Sequence, residues 1–228
     1  MFEAVILAGG QGTRLKEVSG NVPKPLVDVS GEPFLFKLIR RLEEQGCVKI
    51  VLSLHYGAHE VIAAVENSLS TTCKIEYVIE ESPLGTGGGL KLATTKVSNR
   101  NFIAVNGDSW TDLDIHSFTR DMISPELDVA IAGVQVDDTS RYGALKIDKH
   151  TGELLAMSEK GVSGPGLINS GVYYIRKSTL ESFPKKAFSF ETDYIGKAGI
   201  NVHVHMFNGY FIDIGVPEDY FKACRELI

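Results

Sequence analysis

The sequence predicts an α/β fold, in which a mixed, mainly parallel β-sheet is flanked by helices and continued by a smaller antiparallel part. Two observations lead to this prediction. In the first half of the chain, apolar runs of strand length alternate with amphipathic helical patterns, which is typical of βαβ units. In the second half, strand patterns follow one another with little helix between them, and turn signals such as DKHTGE at 148–153 indicate hairpins.

The elements of the first half follow from these patterns in order. The predicted strands are EAVILA at 3–8, KIVLSLHY at 49–56, KIEYVIEE at 74–81 and NFIAVNGD at 101–108. EAVILA is a continuous apolar run, which indicates a buried strand. The predicted helices are FLFKLIRRLEEQG at 34–46, AHEVIAAVENSL at 58–69 and GGLKLATTKV at 88–97.

The second half contains further strand patterns and a closing helix. The predicted strands are LDVAIAGVQV at 127–136, YGALKID at 142–148, ELLAMSEK at 153–160, INSGVYYIRK at 168–177 and NVHVHMF at 201–207. The helix is PEDYFKACRELI at 217–228, where proline suits the first turn. We expect a single domain over 1–228, made of one half over about residues 1–115 and another over about 116–228.

Composition excludes several classes of function. The 23 basic and 29 acidic residues leave a net charge of -6, which argues against nucleic-acid binding, because that affinity depends on Lys and Arg at phosphates. No apolar run approaches the ~20 residues that span a bilayer, so no membrane association is expected. Three widely spaced cysteines without a metal-ligand pattern, and a start without a signal-peptide pattern, predict a cytoplasmic protein.

A glycine-rich stretch follows the first predicted strand and indicates a phosphate site. In LAGGQGTRL, the bare backbone at Gly9, Gly10 and Gly12 allows amide groups to approach a ligand closely. Arg14 adds a planar, permanently charged group that suits phosphate oxygens. Lys24 follows between two prolines, which stiffen the backbone around it. An ordinary tight turn and a solvated loop lysine are the alternative interpretations of the same residues.

Other familiar patterns fit less well. GQGTRL lacks the third glycine of the dinucleotide-binding fingerprint, which disfavours an NAD-dependent oxidoreductase. GTGGGLK at 85–91 fails as a P-loop, because leucine precedes and follows the lysine. No GxSxG motif is present, so a hydrolase nucleophile has no support.

Several motifs together resemble the sugar-phosphate nucleotidyltransferase family. They are LAGGQGTRL at 7–15, PKP at 23–25, PLGTGGG at 83–89, NGD at 106–108 and FIDIGVPEDY at 211–220, and they occur in the family's order over essentially the whole chain. The resemblance implies a Rossmann-like, glycosyltransferase-A-like fold. It also implies that the first half binds the nucleotide and the second half binds the sugar phosphate.

The resemblance further implies a reaction and four central roles. A nucleoside triphosphate and a sugar 1-phosphate would give a nucleotide sugar and pyrophosphate. Arg14 would hold the triphosphate, and Lys24 the reacting phosphate. Asp108 and Asp213 would bind the catalytic Mg²⁺, since paired carboxylates repel each other unless a cation lies between them. From the local sequence alone, each aspartate could instead cap a strand end or a turn.

Within the family, PLGTGG, RYG at 141–143 and IDIGVPEDY most resemble D-glycero-α-D-manno-heptose 1-phosphate guanylyltransferases, with mannose-1-phosphate guanylyltransferases next. The implied partners are GTP and heptose 1-phosphate, and a homodimer is a further expectation. The alternatives are an enzyme for another sugar 1-phosphate or for a pyrimidine nucleotide, and a sugar-nucleotide sensor without catalytic activity. The intact charged residues at the four central positions argue against the sensor.

The remaining site residues are implied by the same resemblance. The nucleotide-binding set is Leu7, Ala8, Gly9, Gly10, Gly12, Thr13, Arg14, Lys24, Glu80, Pro83, Gly85, Thr86, Gly88, Asn106, Gly107 and Asp108. The sugar-phosphate-binding set is Tyr142, Gly143, Glu159, Lys160, Asn169, Gly171 and Glu191. The chain departs from the family at Gly161, where many members have proline after Glu-Lys.

Overall fold

The computed structural model describes residues 1–121, 127–158, 161, 163–196 and 199–227. For residue 121 it describes the backbone but not the side chain. The strands are Phe2–Leu7 (β1), Asp28–Val29 (β2), Glu32–Pro33 (β3), Cys47–Leu54 (β4), Lys74–Ile79 (β5), Asn101–Asn106 (β6), Ser109–Thr111 (β7), Val129–Val136 (β8), Leu145–Ile147 (β9), Leu154–Met157 (β10), Gly166–Arg176 (β11), Val202–Phe207 (β12) and Phe211–Asp213 (β13). The helices are Lys16–Ser19 (α1), Phe34–Glu44 (α2), Ala58–Ser68 (α3), Gly85–Ala93 (α4), Ile115–Asp121 (α5), Lys177–Ser182 (α6) and Pro217–Glu226 (α7).

A seven-stranded sheet in the order β12-β8-β11-β6-β1-β4-β5 forms the centre of the molecule. β5, β4, β1 and β6 are parallel neighbours, β11 runs antiparallel between β6 and β8, and β12 is parallel to β8. In the register, Leu7 pairs with Ser53 on one side and with Asn106 on the other. The carboxyl ends of β1, β4 and β6 therefore open at one edge, where ligands bind in sheets of this kind.

The sheet has a hydrophobic core on each face. Along β1, the fully buried Ala4 and Ile6 belong to the core that contains the apolar faces of α2 and α3. Val5, between them, belongs to the core that contains Leu90 of α4. This division follows from the two-residue period of a strand, and it explains why EAVILA is apolar throughout. The predicted α/β class with a mixed, mainly parallel sheet is confirmed.

The second half differs in part from its predicted organisation. β8, β11 and β12 extend the main sheet, whereas the small antiparallel ladders are β9–β10, β7–β13 and β2–β3. A short helix, α6, and a π-helical turn over Phe190–Ile195 lie where little helix was expected. The helix predicted at 88–97 begins earlier, at Gly85. In the described part of the chain, no helix is both long and apolar enough to cross a membrane.

Candidate active site

Asp108 and Asp213 meet because β7 pairs with β13. In this antiparallel ladder Asp213 lies opposite Ser109, and the amide of Ile214 donates a hydrogen bond to the Asp108 carbonyl at 2.9 Å. Burial, followed by the negative charge of Asp108, raises the pKa of Asp213. Two acidic groups that lie far apart in the sequence are thus neighbours at the sheet edge, as the resemblance implied.

Lys24 is bound to the first of these carboxylates. Its Nζ donates to Asp108 Oδ2 at 2.5 Å, and its side chain is only 11% exposed. Gly12 makes room for the lysine stem, because its φ is +62° and a Cβ there would lie 2.8 Å from Lys24 Cβ. Only glycine adopts this backbone without strain and leaves that space open. The glycine-rich turn thereby helps to place the lysine.

Arg14 completes a compact group of charges around Gly215. A Cβ built on Gly215 would lie 2.8 Å from Asp213 Oδ1, 3.3 Å from Lys24 Nζ and 3.4 Å from Arg14 Nη2. The amide of Gly215 also donates to Asp213 Oδ1 at 2.7 Å. Two cations and the Asp213 carboxylate therefore converge on one bare stretch of backbone, and Asp108 joins them through its ion pair with Lys24. We call Arg14, Lys24, Asp108 and Asp213 the charged centre.

A cavity of about 410 Å³ lies on one side of the charged centre, and we call it the nucleotide-side cavity. The predicted nucleotide-binding residues that line it are Leu7, Ala8, Gly9, Gly10, Lys24, Glu80, Pro83, Gly85, Thr86, Asn106, Gly107 and Asp108. Gln11, Pro25 and His55 also line it and were missed, although the first two belong to the LAGGQGTRL and PKP motifs. The ring Nδ1 of His55 lies 2.9 Å from the carbonyl of Glu80, which joins the ends of β4 and β5.

Four predicted nucleotide-binding residues do not line this cavity, and one of them, Arg14, lines the larger cavity described below. Gly12 packs on Lys24, and Thr13 lines neither cavity described here. Gly88 is buried, and a Cβ there would lie 2.6 Å from the carbonyl oxygen of Lys186. The amide of Gly88, like that of Gly87, donates to the carbonyl of Phe188. The glycines after Thr86 thus bind a neighbouring chain segment, and their roles in nucleotide binding stay predictions.

A larger cavity of about 1120 Å³ lies on the other side, and we call it the sugar-side cavity. The predicted sugar-phosphate-binding residues that line it are Tyr142, Gly143, Asn169, Gly171 and Glu191. Arg14 and Asp213 line it as well, whereas Thr86, Asn106 and Asp108 line both cavities. The charged centre therefore lies at the junction of the two. Glu159 and Lys160 lie outside the described residues.

Glu191 is held in the sugar-side cavity by three hydroxyl groups. Its Oε2 accepts from Thr86 Oγ1 at 2.8 Å and from Ser189 Oγ at 3.2 Å, and its Oε1 accepts from the Tyr173 hydroxyl at 3.1 Å. Burial above all, together with the Glu191 carboxylate, raises the pKa of Tyr173, so its hydroxyl stays a donor. Sequence reasoning missed Tyr173 and Ser189. The two-residue period from Asn169 and Gly171 would have pointed to Tyr173.

The RYG loop is fastened to the segment that follows Asp213. Arg141 Nη2 lies 2.6 Å from Asp219 Oδ2 in the first turn of α7, and the Tyr142 ring packs edge-on against Phe211 at 5.6 Å between centroids. Burial raises the pKa of Tyr142 to about 12. The loop and the strand that carries Asp213 thus form one packed unit at the sugar-side cavity.

Comparison with known proteins identifies the family that this geometry represents. The model of the family described as nucleotidyl transferase matches residues 3–228. The chain belongs to the nucleotidyl transferase family. The central sheet, the charged centre and the two adjoining cavities thus belong to a nucleotidyl transferase.

Individual relatives cover this nucleotidyl transferase along its whole length. The D-glycero-alpha-D-manno-heptose 1-phosphate guanylyltransferase of Aneurinibacillus thermoaerophilus is 37% identical, over 99% of this chain and 98% of the relative. The protein of the same name from Campylobacter jejuni is 35% identical, over 96% and 97%. The crystal structure of HddC from Yersinia pseudotuberculosis complexed with GMP-PN superposes with a TM-score of 0.92, at 45% identity and with full coverage of both chains.

The charged centre fits a divalent cation. Asp108 and Asp213 present hard oxygen donors from adjacent backbone, and burial above all, with the negative charge of Asp108 second, raises the pKa of Asp213. Among the described residues no group of three or more acidic, histidine or cysteine side chains could hold a metal ion. A cation bound by this pair alone therefore needs oxygen ligands from a phosphate substrate or from water.

Proposed function

We propose that this nucleotidyl transferase uses GTP and D-glycero-α-D-manno-heptose 1-phosphate to make GDP-heptose and pyrophosphate, an activated sugar for glycan synthesis. The observation that carries the proposal is the position of the charged centre, at the junction of two cavities that share Thr86, Asn106 and Asp108. A reaction that joins two phosphorylated substrates requires such a junction, with cations placed where the phosphates meet.

The chemistry requires positioning rather than a protein nucleophile. An oxygen of the sugar phosphate attacks the α-phosphorus of GTP, a new phosphorus–oxygen bond forms, and the bond to the β-phosphate breaks to release pyrophosphate. Arg14 binds the triphosphate through its planar fork, and Lys24 offsets charge on the reacting phosphate. Asp108 and Asp213 would hold Mg²⁺, which when bound screens the repulsion between the substrates and stabilises the leaving group.

Glu80 supports the choice of GTP. Its carboxylate lines the nucleotide-side cavity, and Oε2 is held by the amide of Leu84 at 2.8 Å. A carboxylate accepts hydrogen bonds and cannot donate them. Guanine presents two adjacent donors on one edge, N1–H and the exocyclic amine, whereas the matching edges of uracil, thymine, cytosine and adenine each place an acceptor there. A buried mismatch costs about 1–3 kcal/mol, so this carboxylate selects guanine.

The sugar assignment rests on the two guanylyltransferases named above and on Glu191. In the sugar-side cavity this carboxylate has acceptor capacity left for a sugar hydroxyl, since two carboxylate oxygens provide about four acceptor sites. We further propose that residues 1–228 form one domain, with a nucleotide-binding half over about 1–115 and a sugar-phosphate-binding half over about 116–228. We also propose that the reaction takes place in the cytoplasm, because the three cysteines are free. A homodimer stays a prediction, which light scattering would check.

The decisive experiment is a matrix of substrates. ATP, GTP, CTP, UTP and dTTP are each combined with heptose, mannose and glucose 1-phosphates in the presence of Mg²⁺, and pyrophosphate release is measured. We expect the highest kcat/KM for GTP with heptose 1-phosphate. A pyrimidine nucleotide in first place would contradict the guanylyl assignment, and mannose 1-phosphate in first place would contradict the heptose assignment. Binding of GDP-sugar without pyrophosphate release from any pair would indicate a sensor.

A further inference from the structure

The Thr86 hydroxyl has a defined hydrogen-bond direction at the boundary of the two cavities. Its Oγ1 accepts from the backbone amide of Phe190 at 2.9 Å and lies 2.8 Å from Glu191 Oε2. An amide only donates and a carboxylate only accepts, so the hydroxyl proton must point to Glu191. The only proton of this hydroxyl is therefore donated within the protein, although Thr86 lines the nucleotide-side cavity.

The direction of the hydrogen bond at the other oxygen of the Glu191 carboxylate is also determined. Asn169 Oδ1 accepts from the amide of Gly171 at 2.9 Å, which turns its Nδ2 toward the Tyr173 hydroxyl at 2.8 Å. The tyrosine accepts there and must donate to Glu191 Oε1. Glu191 is thus fixed between α4 and β11, with a charge-assisted hydrogen bond at each oxygen.

The backbone around Thr86 ties the same two segments together. The carbonyl of Phe188 accepts from the amides of Gly87 and Gly88, and the amide of Phe188 donates to the carbonyl of Leu84 at 2.8 Å. The segment that carries Glu191 therefore lies along the first turn of α4, which also forms a wall of the nucleotide-side cavity. A displacement of that turn must displace the carboxylate.

We propose that Thr86 is a positioning residue that holds Glu191 toward the sugar hydroxyls and so sets the affinity for the sugar phosphate from within the nucleotide-side wall. The inference rests on the proposed function. Loss of this hydroxyl frees Glu191 from its α4 contact, while the guanine and triphosphate contacts proposed for Glu80, Arg14 and Lys24 stay in place. The effect therefore falls on the sugar phosphate more than on GTP.

The test compares Thr86→Val, which removes the hydroxyl at nearly constant shape, with Thr86→Ser, which keeps it. We expect Thr86→Val to raise KM for the preferred sugar 1-phosphate about tenfold and KM for GTP less than about twofold, because a hydrogen bond to a charged group contributes about 1.5–3 kcal/mol. Thr86→Ser should restore the wild-type KM to within about twofold. The matched control is Thr95→Val, two residues beyond the C-terminal end of α4, where the exposed hydroxyl donates to the carbonyl of Leu92.

Two results would overturn the inference: an unchanged KM for the sugar phosphate in Thr86→Val, or an equal rise in both KM values. A cycle of Thr86→Val, Glu191→Gln and the double variant, measured by urea unfolding, tests the contact without turnover. We expect the double variant to lose less stability than the sum of the single losses. Additive losses would overturn the contact. If wild type turns over none of the sugar phosphates, the proposed function fails, while the unfolding cycle still decides whether Thr86 holds Glu191.

Discussion

The nucleotide-side and sugar-side cavities are built in different ways. The first lies beyond the carboxyl ends of parallel strands, and glycines and backbone supply much of its wall. The second is almost three times as large and takes its wall from β10, β11, β13 and the turn over Phe190–Ile195. We expect its selectivity to come from side chains such as Glu191 and Tyr173, which a hydrogen bond joins. Under the proposed function, the same sheet would present a phosphate site made largely of backbone beside a sugar site made largely of side chains.

The difference predicts where substitutions act. Much of the wall of the nucleotide-side cavity is backbone, which a substitution does not change. Substitutions of only a few side chains there should therefore alter nucleotide binding. In the sugar-side cavity, single side chains should alter the choice of sugar. The charged centre belongs to both, and substitutions there should affect the reaction as a whole.

The largest effect is expected at the shared aspartates. Asp108→Asn and Asp213→Asn should each lower kcat about 10³–10⁴-fold, because each removes a charge needed where both substrates meet. Added Mg²⁺ should partly restore each variant. Pyrophosphate release over a range of Mg²⁺ concentrations, with circular dichroism to verify folding, provides the measurement. A folded variant with near-wild-type turnover would remove that aspartate from the centre.

Substitutions of the two cationic side chains, Lys24 and Arg14, should have the next largest effect. Lys24→Ala should lower kcat by about 10²–10³-fold and the affinity for GTP much less, as expected for a preorganised contact that strengthens in the transition state. Arg14→Lys should lower kcat/KM about 10–100-fold, since a point ammonium cannot replace a bidentate phosphate contact. Steady-state kinetics would separate kcat from KM. Equal losses in GTP affinity and turnover for Lys24→Ala would contradict its proposed role.

A smaller effect, confined to base choice, is expected at Glu80. Glu80→Gln should lower kcat/KM for GTP about 10–100-fold and leave the weak activity with UTP nearly unchanged, because only guanine donates twice to the carboxylate. The adjacent Glu81→Gln is the matched control, since Glu81 is exposed and lines neither cavity. If Glu80→Gln lost activity equally with GTP and with UTP, Glu80 would have no part in base selection.

The smallest effect concerns Gly12, whose contribution is geometric. Gly12→Ala should destabilise the fold by about 1–2 kcal/mol in urea unfolding, because its backbone is left-handed and the added methyl group meets the Lys24 stem. Gly10→Ala serves as the control for stability, because the φ of Gly10 lies outside the left-handed region and nothing lies within 4 Å of the added Cβ. Equal unfolding midpoints for the two variants would show that Gly12 is not needed to place the lysine.

The same contrast between cavities explains what the sequence could predict. The α/β class and the four members of the charged centre were predicted, because continuous motifs such as LAGGQGTRL and FIDIG carry them. Gly88 shows what a motif leaves out: the predicted nucleotide contact stays a prediction, and the motif does not reveal that the Gly88 amide donates to the Phe188 carbonyl. The hydroxyls of Tyr173 and Ser189 were missed because only the folded chain brings them to Glu191. The strand period from Asn169 could place Tyr173 on the same face, but no local pattern shows its hydrogen bond to Glu191.

The central claim is that Asp108 and Asp213 act as one unit where the two cavities meet. The most direct measurement is kcat/KM for pyrophosphate release by Asp108→Asn, Asp213→Asn and the double variant, at saturating Mg²⁺. We predict that the double variant is within about threefold of the worse single variant, because residues that act as a unit are non-additive. Losses that multiply in the double variant would show that the aspartates act separately and would contradict the account.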